Sequence, residues 1–407
     1  MQPHSASSPG AAAPAAPDPD ELNAWLRLLA TPGVGRDTAR RLLAAFGSPQ
    51  AVFQAGELPC RSVAGVAVAA ALAQRPPGLD DLLDRVATWL HGAAPDGPPR
   101  RILVLGDADY PGALLHTADP PLLLYLEGRA ALLNAPAVAI VGSRRPTPQG
   151  RENARAFGAA LLREGWTVVS GLAAGIDGAA HEGALQAMGE AVPGAAPGTV
   201  AVIGTGIDVV YPPAHRALTR RIARQGLLVS ELPPGAPPLA AHFPQRNRLI
   251  AGLSRGTLVV EAALRSGSLI TARLAAEAGR EVFALPGSIL SSQSEGCHEL
   301  IRQGATLVGS VAQVIEELGR PAPAKGGAAP PDAPGTRSAA TDAVPDAASE
   351  ADDPVLRALG HDPASLDVLI ARCGWPAHSL SAHLLTLELS GQVARLPGGL
   401  YQRIEIA

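Results

Sequence analysis

Lysine is almost missing from this chain of 407 residues: Lys325 is the only one, so arginine provides nearly all of the positive charge. A Gly-Lys-Ser/Thr phosphate loop therefore does not occur, and Schiff-base chemistry lacks a candidate nucleophile. The lysine usage argues strongly against a P-loop ATPase.

Cysteines and long apolar runs are also scarce. Cys60, Cys297 and Cys373 are far apart and have no paired spacing, which fits a reducing compartment and argues against structural zinc. The longest apolar stretch, around Val63–Ala73, is too short to span a bilayer. The first residues contain no basic region followed by an apolar block. We therefore expect a cytoplasmic protein with no signal peptide and no membrane partner.

The chain has no excess of positive charge either. Its net charge is −4, so any nucleic-acid surface must be a local patch. The 44 glycines and 39 prolines exceed what one compact domain usually carries. We predict that residues 1–19 are disordered and that residues 319–353 form a linker.

Residues 20–95 have a helical pattern. Leu22–Leu29 and Thr38–Phe46 are predicted helices, joined by Thr31-Pro-Gly-Val-Gly35. Helix, Gly-x-Gly turn and helix is typical of a helix-hairpin-helix or SAM-like domain, whose backbone amides can hold a DNA phosphate. A plain αα-hairpin in a small helical domain fits the same pattern.

Residues 101–318 alternate strand and helix. Short, continuous apolar runs bounded by glycines include Ala137–Val141, Thr167–Ser170 and Thr199–Ile203. This pattern predicts an α/β domain with a Rossmann-like, doubly wound, mostly parallel sheet. Residues 354–407 contain three predicted helices and a β-hairpin, the pattern of a winged helix, which binds DNA in some proteins and other proteins elsewhere.

Small-residue turns follow several of the predicted strands, and arginines accompany them. Because the carboxyl ends of parallel strands share one sheet edge, we expect these turns to converge on one crevice that suits a phosphate. A basic run with an aromatic residue precedes the last of these turns and suits flat bases. The candidate residues for binding nucleic acid or a nucleotide are Gly142, Ser143, Arg144, Gly171, Gly204, Phe243, Arg246, Asn247, Arg248, Ser266, Gly267 and Ser268.

Other site chemistry is poorly represented. No Gly-x-Gly-x-x-Gly follows the first strand, which disfavours a dinucleotide, and we expect no cofactor. The spacing of Asp177 and His181 is not typical of metal ligands. We interpret Asp177 as the N-cap of the helix that follows and His181 as a packed or capping side chain. Glu261 is the one carboxylate placed to act as a general base, but we favour a role in holding Arg246 or a turn amide. We therefore predict that the protein is not an enzyme.

Five ordered motifs in the sheet domain resemble the bacterial DNA-processing protein A family (DprA, also called Smf). They are Val138-Ala-Ile-Val-Gly-Ser-Arg144, Ser170-Gly-Leu-Ala-Ala-Gly-Ile-Asp-Gly-Ala-Ala-His181, Phe243-Pro-Gln-Arg-Asn-Arg248, Ser266-Gly-Ser-Leu-Ile-Thr-Ala272 and Val282-Phe-Ala-Leu-Pro-Gly287. The two flanking domains match longer family members.

The resemblance implies a dimer that binds single-stranded DNA and loads the RecA recombinase onto incoming strands in natural transformation, helping to displace single-strand-binding protein. It implies DNA-binding roles for three sets of residues. Phosphates are contacted by Gly142, Ser143 and Arg144, the strand-holding loop contains Phe243, Arg246, Asn247 and Arg248, and the pocket floor includes Ser266, Gly267, Ser268 and Thr271. Ala174 departs from the family, since many relatives carry a basic residue there, and so more of the binding must rest on the arginines.

Two alternatives remain open at this point. The sheet domain also resembles nucleoside-monophosphate phosphoribohydrolases, which use an Arg and a Glu beside a Gly-Gly-x-Gly-Thr loop. In this chain Gly256-Thr257 precedes Glu261 by one residue too many, and Ser254-Arg255 replaces the double glycine. The other alternative is a regulatory module that senses a nucleotide through the same pocket.

Overall fold

The structure is a computed structural model, and it describes residues 18–190, 197–321, 353–360 and 362–404. Nearly all of the predicted N-terminal disorder (1–19) and of the predicted linker (319–353) lies outside the described residues. No helix in the described part of the chain is long and apolar enough to cross a membrane.

Six helices make up the N-terminal region: α1 (Pro19–Ala30), α2 (Arg36–Phe46), α3 (Pro49–Ala55), α4 (Glu57–Ala64), α5 (Val66–Leu72) and α6 (Leu79–His91). The first two agree with the predicted helix pair. Gly33 in the turn between them faces Val68 of α5, so the hairpin packs against its own domain on that side. Buried Trp25, Leu42 and Trp89 form a core that continues into the sheet domain.

A nine-stranded sheet follows, made of β1 (Arg100–Val104), β2 (Leu123–Gly128), β3 (Ala137–Val141), β4 (Thr167–Ser170), β5 (Thr199–Val202), β6 (Leu227–Ser230), β7 (Gly256–Val259), β8 (Glu281–Ala284) and β9 (Thr306–Leu307). The spatial order is β1-β2-β6-β5-β4-β3-β7-β8-β9. In this spatial order, the seven strands β6-β5-β4-β3-β7-β8-β9 pair in parallel. Strand β2 pairs antiparallel with both of its neighbours, β1 and β6. The predicted fold class is confirmed, although β2 was not among the predicted strands.

The order of the strands reverses between β3 and β7. From β3 the chain winds outward through β4, β5 and β6, and it then returns to place β7 on the other side of β3. Ligands of open parallel sheets bind at such a switch point, outside the carboxyl ends of the strands. The topology therefore predicts a ligand site at the turns that follow β3 and β7.

Helices cover both faces of the sheet: α7 (Gly112–Leu115), α8 (Pro148–Arg163), α9 (Ile176–Glu190), α10 (Arg216–Gln225), α11 (His242–Leu253), α12 (Ser268–Glu277), α13 (Glu295–Arg302) and α14 (Val311–Leu318), with 3-10 turns at Ala130–Asn134 and Pro213–His215. Helices α8, α9 and α14 pack on one face, and α7, α11, α12 and α13 on the other. Because both faces are buried, the strands are apolar throughout rather than alternating.

The C-terminal region contains α15 (Pro354–Leu359), β10 (Ala364–Ser365), α16 (Leu366–Cys373), α17 (Ala377–Leu389), β11 (Val393–Leu396) and β12 (Leu400–Arg403). The three strands form a small antiparallel sheet in the order β10-β12-β11. Its core, which includes Leu359, Leu380 and Leu384, is separate from that of the large sheet. Three helices and a hairpin confirm the predicted winged helix.

Candidate nucleic-acid interface

An open cleft of about 750 Å³ lies at the carboxyl ends of β3 and β7, where the strand order reverses. Ten of its lining residues come from three segments: Gly142, Ser143, Arg144, Arg145, Phe243, Arg246, Asn247, Ser266, Gly267 and Ser268. Thr271 and Arg265 also line it. Two of the predicted turns, those after β3 and β7, thus meet the basic segment at one edge, as the parallel topology requires.

Arg144 and Phe243 form a flat, charged platform in the cleft. The guanidinium carbon of Arg144 lies 5.5 Å from the centroid of the Phe243 ring, within the range of a cation–π contact. The exposed Tyr211 ring is tilted against the same ring, with centroids 5.4 Å apart. Phe243 is half-buried, so it both anchors its segment and lines the cleft. An arginine and a tyrosine that both contact one phenylalanine ring are suited to a ligand with phosphates and bases.

The segment predicted as a strand-holding loop is instead helix α11, which begins at His242. Pro244 stands in its first turn, where an amide would have no partner within the helix, and good helix formers such as Gln245, Leu249 and Ala251 follow. Residues of a helix turn by about 100° each, so Arg246 and Arg248 point in directions about 200° apart. The helix therefore brings only one of the two arginines to the cleft.

Arg246 lies beneath the cleft rather than on its surface. Its side chain is buried and donates hydrogen bonds to the backbone carbonyls of Gly171 and Val202. Burial lowers the pKa of Arg246 to about 10, so it stays protonated at neutral pH, and the buried Asp177 opposes that effect. Burial likewise raises the pKa of Asp177, against the attraction of Arg246. Arg246 thus holds turns together beneath the ligand space.

Gly171 has a different role from the predicted phosphate contact. Its N–H donates to the Asp177 carboxylate at 3.1 Å, and its carbonyl accepts from Arg246. A Cβ at this position would collide with the Arg246 guanidinium, so only glycine leaves room for it. Asp177 also accepts from the Ala173 N–H at 3.4 Å. Asp177 lies inside the first turn of α9 and binds the preceding turn, so the predicted N-cap role is wrong.

Arg248 is held in an ion-pair cluster away from the cleft. It lies 2.6 Å from Glu231 and 3.2 Å from Asp119. Asp119 also binds Arg36 and Arg40 of α2, at 2.7 and 2.6 Å. The cluster joins the N-terminal helices to the sheet domain. The structure therefore does not bring Arg248 to the predicted DNA site.

The first turn is compact. Ser143 is buried; its N–H donates to the Glu261 carbonyl at 2.7 Å, and its hydroxyl accepts from the Arg145 N–H at 3.1 Å. A Cβ on Gly142 would lie 2.7 Å from Ile176. Gly204, in turn, lies under the aromatic platform, because a Cβ there would come within 3.0 Å of the Phe243 ring. These contacts fix the direction in which Arg144 leaves the turn.

The turn before α12 forms one wall of the cleft. The hydroxyls of Ser266 and Ser268 are 2.6 Å apart, and Asn247 reaches the Gly267 carbonyl at 3.5 Å. The amides of residues 268–270 donate to residues 266 and 267 at 3.2–3.3 Å, so they are not free to bind a phosphate. Thr271 is buried behind this turn. The charged donors of the cleft are therefore guanidinium groups.

Three residues that line the cleft were not predicted from the sequence: Arg145, Arg265 and Tyr211. Both arginines line the cleft, are exposed and have no ion-pair partner within the described residues. Each of these two arginines is next to a candidate binding residue, Arg144 or Ser266. Their position beside a small-residue turn could therefore have identified them from the sequence. Ala174 is exposed and uncharged, and Arg145 and Arg265 supply positive charge close to the cleft instead.

Glu261 is engaged at the start of α8. Its carboxylate accepts from the Thr147 N–H at 2.9 Å and from the Thr147 hydroxyl at 2.5 Å. Burial raises the pKa of Glu261, and these two hydrogen bonds oppose the rise. The favoured role of holding a turn amide is confirmed, with Thr147 as the partner rather than Arg246.

His181 is fully buried in α9 and packs as expected. Its Nδ1 lies 2.7 Å from the Thr199 hydroxyl, which itself donates to the Val168 carbonyl at 3.0 Å. Nδ1 therefore carries the proton, and burial lowers the pKa of His181 to about 3. The described residues contain no group of three or more His, Cys, Asp or Glu side chains that could hold a metal ion.

Comparisons with known proteins agree on one family. Residues 101–319 match the model of DNA recombination-mediator protein A, residues 338–399 match the DprA winged helix domain, and residues 19–73 match the DprA-like N-terminal HHH domain. Protein Smf of Escherichia coli K12 is 43% identical over 311 residues, which cover 76% of this chain and 79% of that protein.

Two further comparisons involve Streptococcus pneumoniae. Its DNA processing protein DprA is 50% identical over 212 residues, covering 52% of this chain and 72% of the relative. An X-ray structure of DNA processing protein A from the same species superposes with a TM-score of 0.61 and 36% identity, covering 74% of this chain and 99% of the other. The chain therefore belongs to the DNA recombination-mediator protein A family, also called DprA or Smf.

Proposed function

We propose that this protein binds single-stranded DNA in the cleft at the carboxyl ends of β3 and β7. The observation that carries the proposal is the platform of Arg144 stacked on Phe243 beside Tyr211, with exposed Arg145 and Arg265 in the same cleft. Exposed bases of a single strand stack on aromatic rings, and arginines hold its phosphates.

A single strand suits this site better than a duplex. In a duplex the base faces are stacked on one another and are not available to Phe243 and Tyr211. The charge is also concentrated: the whole chain has a net charge of −4, yet Arg144, Arg145 and Arg265 open onto one cleft. Binding should therefore depend on both ring stacking and salt.

Family membership supports a proposal for the cellular role. Relatives carry the name DNA processing protein, and we infer that this protein acts on incoming DNA in natural transformation. In this role it protects the strand, loads RecA onto it and helps to displace single-strand-binding protein. A homodimer is part of the same proposal; β9 ends the sheet, and its Leu307 is exposed, which suits pairing with a second copy.

The experiment is a titration of a labelled single strand by the protein and by Arg144→Ala at several salt concentrations. Loss of one charge-assisted phosphate contact should weaken binding by about 1.5–3 kcal/mol and flatten the salt slope by roughly 0.7. Arg61→Ala, which changes an exposed arginine of α4, is the matched control. Equal affinities for the protein and the Arg144→Ala variant would refute the cleft assignment.

We also propose that the cleft holds DNA without altering it. Glu261 is bonded to Thr147 and is not among the cleft-lining residues in the described part of the chain. The phosphoribohydrolase alternative needs this carboxylate as a general base. Incubation with oligonucleotides or nucleoside monophosphates should release no base. Base release that disappears in Glu261→Gln would establish the enzyme instead.

A further inference from the structure

Helix α10 is unusually rich in arginine, and the DNA-binding function proposed for the cleft does not account for these arginines. Its ten residues, Arg216–Gln225, include four arginines and no acidic residue. Leu218 and Ile222 point into the core, whereas Arg216, Arg220, Arg221 and Arg224 are all exposed. The helix thus presents a continuous basic face to solvent.

This face is not neutralised by any carboxylate in the part of the chain that the structure describes. Among the described residues, none of the four arginines takes part in an ion pair, although arginines elsewhere in the sheet domain, such as Arg155 and Arg248, are paired. Glu182 on the adjacent helix α9 is bound to Arg155. Like charges on adjacent turns of one helix repel each other, so the arrangement carries a cost that a bound polyanion would relieve.

The basic face begins at the cleft. Tyr211 lines the cleft, and the chain from there to α10 is only Pro212–His215. His215 lies 3.0 Å, through Nδ1, from the carbonyl of Leu172, in the turn that follows β4. Since α10 leads from the carboxyl edge of the sheet back to the start of β6, Arg216 is near the cleft and Arg224 near the opposite edge.

The spacing suits an extended strand. Arg216, Arg220 and Arg224 recur every four residues and form one row, about 12 Å long. The exposed residue between the first two is Ala217, whose small side chain lets a backbone approach the helix. A phosphate backbone that leaves the platform at Tyr211 would meet this row next.

We propose that α10 is a second contact surface for single-stranded DNA, which binds the phosphates of the strand after it leaves the cleft. The inference rests on the proposed function of the cleft. It predicts two parts to the binding site: a cleft that holds a few nucleotides by stacking and charge, and an arginine row that binds the continuation through charge alone. Short strands would use only the first part.

The test compares oligothymidines of roughly 6 and roughly 24 nucleotides, below and above the reach of one single-strand groove. The variant is Arg220→Gln/Arg221→Gln/Arg224→Gln, with Arg61→Gln as the control for loss of an exposed arginine. We expect affinity for the long strand to fall at least about tenfold and its salt slope to flatten by roughly 2. Affinity for the short strand should stay unchanged. The corresponding triple lysine variant should restore long-strand binding, since charge alone is required.

The outcomes separate this inference from the proposed function. If the triple glutamine variant binds the long strand normally, or loses both lengths equally, the second surface is refuted, while Arg144→Ala still tests the cleft. If it loses only duplex binding, the face serves a duplex and the proposal is wrong. If the unaltered protein binds neither the short nor the long strand, the proposed function of the cleft is refuted, and the second surface with it.

Discussion

Arg246 and Arg248 are two residues apart, and the sequence gives no sign that their roles differ. The structure buries Arg246 beneath the cleft, where it bonds to two carbonyls, and pairs Arg248 with Glu231 and Asp119. Arg144, by contrast, is exposed and stacked on Phe243. Residue type and spacing located the cleft correctly, but the assignment of each arginine required knowing which face of α11 meets the sheet.

We predict that Arg246→Ala lowers stability before it affects DNA binding. The change leaves the carbonyls of Gly171 and Val202 unpaired and removes the cation near buried Asp177, at a cost of about 3–5 kcal/mol in the free energy of unfolding. Arg144→Ala should change that free energy by less than about 0.5 kcal/mol. Urea unfolding of both variants measures the difference. If Arg246→Ala has normal stability but binds DNA more weakly, Arg246 contacts DNA directly and the structural role is wrong.

His181 predicts a pH dependence of stability. Its folded pKa is lowered to about 3, so the unfolded chain takes up a proton near its ordinary pKa while the folded chain does not. The contribution of His181 is therefore present above pH 6.5 and is lost as pH falls toward 3, by up to about 5 kcal/mol.

The measurement is urea unfolding from pH 7.5 down to pH 4. We expect His181→Phe to lose less stability across this range than the unaltered protein, even if it starts lower. His91→Gln, at an exposed position, serves as the control and should follow the unaltered protein. Parallel pH curves for His181→Phe and the unaltered protein would contradict this explanation.

At the scale of elements, the buried strands were predictable because apolar runs of four to five residues between glycines have few other interpretations. Strand β2 was missed: Leu123–Gly128 follows Pro120-Pro121 and pairs antiparallel with both β1 and β6, outside the parallel part of the sheet. Helix α11 was misread because Pro244 and two arginines resemble a basic loop, whereas its buried face, Leu249–Leu253, requires a helix. Local sequence does not reveal which neighbour buries a segment.

At the scale of the whole molecule, the two flanking regions differ in how they join the sheet domain. The N-terminal helices share one core with β1, β2 and β6, and the Asp119 cluster ties α2 to Arg248. The winged helix has a core of its own. Its helix α17 contains no lysine or arginine and exposes Leu385 and Leu389, which favours contact with a protein over contact with DNA.

We therefore predict that a chain ending at Leu318 folds and keeps most of its affinity for single strands, because the cleft and α10 remain. Removing residues 1–95 instead should give an insoluble or unfolded product, since Ile102, Tyr125 and Leu228 would lose their covering helices. Circular dichroism and oligonucleotide titration of both truncated chains measure this. A chain ending at Leu318 that folds but fails to bind would place part of the site in the winged helix.

The central claim is that the cleft recognises unpaired bases as well as phosphates. It is tested most directly by titrating the protein with one labelled oligonucleotide, first alone and then annealed to its complement, in parallel with Phe243→Ala and Arg144→Ala. We predict tighter binding to the single strand, with that preference reduced by Phe243→Ala and overall affinity reduced by Arg144→Ala. Equal affinity for single strand and duplex, unchanged in both variants, would contradict the account.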